Sequence, residues 1–118
     1  DDGPVLIQIE YRIDPPQRDE FLLRMRGMGP VRQRNGASSW RMFRDLGDDG
    51  KYVERYILSS WAEYVRLRSR MTIADRQLHE DITKLQRPDT PIRVSRLLGI
   101  DLPEAGGADA GPQLSRRP

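Results

Sequence analysis

The chain contains no cysteine and a single histidine in its 118 residues. The first absence excludes disulfides, thiol nucleophiles and cysteine-ligated zinc or iron–sulfur centres. The second leaves no paired-histidine metal motif, and no Gly-rich phosphate loop or Ser-His-Asp arrangement is present either. Apolar runs are short. None approaches the ~18 residues of a helical membrane span, and none reads as a signal-peptide core. Charge of one sign is missing too: 20 basic residues are interleaved with 18 acidic ones, for a net charge of +2. Such a mixed surface sets up no cationic field for a phosphate backbone, so no nucleic-acid partner is expected. The sequence opens at Asp1 rather than at a methionine, and it is expected to be a fragment of a longer protein.

What is present is organised around the stretch from Trp40 to Trp61. Two runs rich in aromatic and β-branched residues, Trp40–Asp45 and Lys51–Ser60, flank a turn at Asp48-Asp49-Gly50 and read as a hairpin. Apolar residues fall on both faces of these runs: Trp40 and Met42 alternate with Phe43, and Val53 and Ile57 alternate with Tyr52, Tyr56 and Leu58. A sheet covered on one side only should alternate cleanly between apolar and polar. A cover is therefore expected on the second face, and a second copy of the chain is the simplest one.

Upstream, Val5–Ile13 alternates as a strand, with Val5, Ile7, Ile9, Tyr11 and Ile13 on the face that helices should cover. Asp14 is placed to cap a helix, with Pro15 in its first position and Gln17 closing a capping box. Phe21, Leu22, Met25 and Met28 form the helix's apolar stripe. Pro30 predicts a kink or an end near Met28, followed by a short separate turn through Arg34 and a left-handed cap at Asn35-Gly36. After the hairpin, Ser60 and Glu63 predict a second capping box, and Trp61, Tyr64, Val65 and Met71 line one side of a helix. Thr72 can cap again before the stripe Ala74, Leu78, Ile82, Leu85, which makes one bent helix or two consecutive ones. Arg87–Pro91 stops it. Ile92–Leu98 is a last strand, and residues 100–118 lack periodicity and are expected to be a disordered tail.

The order strand, helix, hairpin, helix, strand is the α+β, ferredoxin-like β-α-β-β-α-β pattern over residues 4–99. It places the first and third strands at the centre with both helices on one face. Pairing two such sheets face to face gives a dimeric α/β barrel, a homodimer through the sheet face. RNA-recognition domains share this order, but Glu54 between the aromatics of Lys51–Tyr56, and Gln8 and Glu10 on the first strand, stand where stacking rings would be wanted.

The segments Ile9–Pro15, Tyr52-Val53-Glu54, Leu58–Glu63 and Arg70–Arg76 carry a family resemblance. Over residues 4–99 the sequence resembles the soluble C-terminal domain of bacterial major facilitator superfamily transporters similar to the enterobactin exporter. That domain is itself similar to the antibiotic biosynthesis monooxygenase superfamily of dimeric α/β barrels. The resemblance implies a non-catalytic cytoplasmic domain, tethered to the inner membrane in the full-length protein, that dimerises or senses a ligand. The alternative it implies is a cofactor-independent monooxygenase acting on a small aromatic ligand. Neither needs a metal or another cofactor. For a ligand or the dimer seam, the candidates are Gln8, Glu10 and Arg12 on the inward strand face, with Trp40, Arg55, Tyr56 and Trp61 nearby. A structural alternative makes Glu10, Arg12, Glu54 and Arg55 cross-strand ion pairs in a dimer interface and both tryptophans packing residues. Haem-degrading relatives combine an Asn on the first strand with a Trp and a His on the second helix. Here Val5–Ile13 has no Asn, and His79 lies well past Trp61, so a solvated or capping role is expected for it. Tyr64, Arg68 and Ser59, standing where relatives carry histidines and an acidic residue, speak against a metal or haem role.

Overall fold

The computed structural model describes residues 3–105. Strand β1 (Val5–Arg12), helix α1 (Arg18–Arg34), strands β2 (Ser38–Arg44) and β3 (Lys51–Leu58), helices α2 (Trp61–Arg70) and α3 (Ile73–Thr83) and strand β4 (Arg93–Leu98) follow one another. The four strands form one antiparallel sheet in the order β2-β3-β1-β4, so β1 and β3 are central, as the sequence pattern predicts. The odd residues of β1 are buried beneath the helices. Register carries that face across the sheet: Ile7 pairs with Tyr56, Ile9 with Glu54 and Tyr11 with Tyr52. The core is thus Val5, Ile7, Ile9, Tyr11, Tyr52, Tyr56 and Leu58 from the strands, against Phe21, Met25 and Met28 from α1 and Leu67, Ile82 and Leu85 beyond it.

Several local expectations need correction. Asp14 does not cap a helix with its side chain; Pro15–Gln17 is a 3₁₀ turn, and α1 starts at Arg18. Pro15 and Pro16 have no N–H to donate to the Asp14 carboxylate, which instead accepts from Arg87 Nε at 3.0 Å. Pro30 neither ends α1 nor separates a second turn. The helix runs through it to Arg34, because Pro30 faces solvent while Met28, Gly29, Val31 and Arg32 around it are all buried and hold the backbone in place. The left-handed residue after α1 is Gly36 (φ 103°) alone; Asn35 keeps φ −94° and donates its amide to the Val31 carbonyl at 2.9 Å.

On the C-terminal side, Ser60 caps α2 by accepting from the Glu63 amide, whereas the Glu63 carboxylate turns to Arg66 and Arg70. The buried residue of α2 is Leu67. Trp61 and Val65, expected on the inner stripe, are 48% and 53% exposed, and the inward line is Tyr64, Leu67, Met71. The helical region is two helices: Met71 adopts extended ψ (129°), and Thr72 with Asp75 forms a full capping box for α3. Asp75 also receives Arg34 of α1, which with the Thr72 amide holds its carboxyl below the usual range and ties the two helices together. At the outer edge, β2 shifts register between Ser38 and Arg41, and Ser39 takes φ 55°, a left-handed value uncommon outside glycine. Residues 101–105 are exposed and carry no helix or strand; the rest of the expected tail, 106–118, lies outside the described residues. No described helix is long and apolar enough to cross a membrane.

Candidate functional site

The helix-covered face of the sheet holds a charged centre. Glu54 of β3 is wholly buried and accepts four hydrogen bonds: from Tyr11 Oη (2.8 Å), Arg32 Nε (2.9 Å), a terminal Arg32 nitrogen (3.2 Å) and Trp40 Nε1 (2.8 Å). β1, α1 and β2 each supply a donor, so the carboxylate pins three elements to a fourth. Burial opposes the Arg32 charge, but the field and hydrogen bonds of Glu54 outweigh it and raise the guanidinium's pKa further. Tyr11 is also pushed up, by burial first and then by Glu54. Close approach of α1 makes room for none of this to move: a Cβ on Gly29 would meet the Trp40 ring at 3.1 Å.

Beside this centre a cavity of about 440 Å³ opens between sheet and helices. Ile7 and Ile9 of β1, Tyr56 of β3 and Val94 of β4 form its floor, and Tyr64, Leu67 and Met71 roof it. Arg68 of α2, Arg76, His79 and Glu80 of α3 and Arg96 of β4 complete the wall, and Arg32 reaches it from α1. The Arg32 guanidinium lies 5.0 Å from the Tyr56 ring centroid. Burial pushes the Tyr56 phenol up to about 12, although Arg32 pulls the other way, so it stays protonated at neutral pH. His79 is held below its ordinary value, by burial and then by the Arg32 charge, and is a neutral imidazole there. Arg96 Nε donates to the Tyr64 hydroxyl at 2.7 Å and its guanidinium sits 5.4 Å from the Tyr64 ring, which in turn stacks on Trp61 at 4.9 Å.

The open face is built differently. Leu6, Gln8, Glu10 and Arg12 of β1 share it with Lys51, Val53, Arg55 and Ile57 of β3, and register adds Arg41 and Phe43 of β2 and Leu97 of β4. Lys51 stands 3.5 Å from Glu10, and Arg12 pairs with Asp48. Arg55 lies over the Phe43 ring at 5.8 Å, and its Nε is shut off from solvent with no acceptor.

The seven candidates therefore separate. Gln8, Glu10, Arg12 and Arg55 gather on the open face, whereas Trp40 and Tyr56 lie under the helices, and Trp61 opens α2 beside a groove shared with Leu97 and Leu98. Glu54, set among the interface ion pairs in the structural alternative, is instead the buried hub, and Arg12 pairs with Asp48 rather than across the strands. His79, expected in solvent, is exposed and also borders the cavity. Arg32, Arg76 and Arg96 carry no signal of a site in the sequence beyond the α1 register, which puts Arg32 one turn past the buried Met28, and Arg68 stands out there only as a departure from a histidine pattern.

This two-layer arrangement has clear counterparts among solved structures. A Caulobacter crescentus protein described as an antibiotic biosynthesis monooxygenase superposes with TM-score 0.72 at 12% identity, over 85% of this chain and 92% of that one. A Nitrosomonas europaea protein of the same description gives TM-score 0.71 at 9% identity, covering 85% and 93%. Rv0793 from Mycobacterium tuberculosis gives 0.68 at 17% identity, covering 86% and 100%. At such identities the likeness shows the fold: an α+β, ferredoxin-like domain of the antibiotic biosynthesis monooxygenase type. The chain belongs to the transmembrane secretion effector family, whose model matches residues 1–104. No curated protein matches the sequence.

Proposed function

We propose that the chain is a non-catalytic cytosolic domain of an efflux transporter, tethered to the inner membrane, which dimerises through its open sheet face and senses a small ligand in the helix-side cavity. The observation that supports this reading is the different construction of the sheet's two faces. One holds an open cavity roofed by α2, a helix with a single buried side chain, so an occupant can bias its position. The other presents Leu6, Phe43, Val53, Ile57 and Leu97 among charges, with an Arg55 Nε that lacks an acceptor among the described residues. Sedimentation equilibrium is expected to give twice the 13.6 kDa of the chain. Ile57→Asp, which places a charge in the apolar part of the open face, is expected to yield the monomer. A variant that keeps the dimer mass would sink the sheet-face interface.

A cofactor-independent monooxygenase is the second reading, favoured by His79. A neutral imidazole in the same cavity as the Tyr56 phenol can take a proton from a phenolic substrate, whose carbanion then reacts with oxygen. The non-catalytic reading expects no oxygen uptake with polyketide-like phenols. Uptake that disappears in His79→Ala would replace it with the enzymatic one.

A further inference from the structure

We infer that the cavity's occupant is an organic anion, an apolar body bearing a carboxylate or sulfonate-like group, clasped by Arg68, Arg76 and Arg96. The inference rests on the reading of this cavity as a ligand site and names the class of ligand. Three exposed arginines line one opening from three different elements, α2, α3 and β4. None of the three has a carboxylate partner within ion-pairing distance among the described residues, whereas Arg66 and Arg70, on the same helix as Arg68, both hold Glu63. Glu80 is the one carboxylate in the lining, and Glu54 behind it is neutralised by Arg32. Among the described residues, the wall therefore carries an excess of positive charge that no ion pair balances.

The interior between these arginines is apolar, from Ile7, Ile9, Leu67 and Met71, so a hydrated inorganic ion would leave it unfilled. A volume of about 440 Å³ instead suits a small organic molecule. Planar guanidinium forks match the two oxygens of a carboxylate, or two of the three of a sulfonate. Like charges brought together from α2, α3 and β4 repel until an anion lies between them. Binding would therefore draw the lightly held α2 toward the other two elements, which gives sensing a physical basis. Arg96 already reaches α2 through Tyr64, and Trp61 stacked on that ring reports the movement in its fluorescence.

The test uses two dyes of nearly one skeleton: anilinonaphthalene sulfonate, an anion, and phenylnaphthylamine, its uncharged counterpart. The sulfonate is expected to bind at least about tenfold more tightly at low ionic strength, with the ratio falling as salt is raised. The triple variant Arg68→Gln, Arg76→Gln, Arg96→Gln is expected to bring the ratio close to one while the neutral dye still binds. Val94→Trp, at a 40% exposed position of the floor, fills the cavity without overpacking the core and is expected to weaken both dyes. Equal affinity for the two dyes overturns the anion inference and leaves the cavity reading standing. Binding of neither, or binding that Val94→Trp leaves unchanged, overturns both.

Discussion

Glu54→Ala is expected to destabilise the domain by about 3–5 kcal/mol, the range found when one partner of a buried ion pair is removed. Arg32, 5% exposed, would keep its charge with no counterion, and the Tyr11 hydroxyl and Trp40 indole would each lose their acceptor. Against a total of roughly 5–15 kcal/mol for a domain of this kind, that is a large share. A fall in the thermal midpoint on the order of 20 °C follows from about 4–8 °C per kcal/mol, measurable by far-ultraviolet circular dichroism. The double variant Arg32→Met, Glu54→Leu separates the loss of a partner from the loss of a pair. Replacing both charges by apolar groups removes the desolvation cost, so it should recover much of the midpoint. A Glu54→Ala protein melting with the wild type would mean that water reaches Arg32 and the pair is not sealed.

Phe21→Ala is expected to cost about 3–5 kcal/mol, by the combined loss of transfer free energy and the cavity it leaves. Phe21 is fully buried, with the Tyr11 ring 5.2 Å and the Tyr52 ring 5.3 Å away, and it joins the first turns of α1 to the two central strands. Those rings are fixed at their far ends, Tyr11 by Glu54 and Tyr52 by the Arg18 guanidinium at 3.0 Å, so neither can collapse into the space. Urea unfolding should show a midpoint shifted down with little change in slope. Phe21→Leu, which refills most of the volume, should lose less than half as much; equal losses would argue for a specific aromatic role rather than packing.

The element order was legible in the sequence because its signals are local. Alternation in β1, the Asp-Gly turn after β2 and the Thr72 capping box each sit within a few residues. Pro30 does not end α1, because a local rule meets a tertiary fact: the buried residues on either side of it keep the chain helical to Arg34. Glu54 departs further from its local reading. A carboxylate inside an aromatic strand reads as an interface charge, and its donors Tyr11, Arg32 and Trp40 are 43, 22 and 14 residues away. Tyr56 could have been assigned correctly by parity, since antiparallel pairing with Ile7 puts both on one face. Arg55, its neighbour in the chain, points the other way. The cavity was not legible because its walls come from every helix and three strands, and no spacing along the chain records that convergence.

The register shift at the start of β2 limits how this sheet can grow. An open four-stranded sheet has two edges, and an end-to-end fibre needs both of them straight enough to accept another strand. Here the β2 edge is kinked by the shift near Ser39, whereas β4 keeps an unbroken register with β1. A head-to-tail ladder of copies, β2 of one against β4 of the next, therefore has one unusable end. What remains open to the sheet is self-complementary contact, face to face or β4 to β4, which closes at two copies. Were copies of the domain brought to high local density, one irregular strand edge would keep their assembly finite.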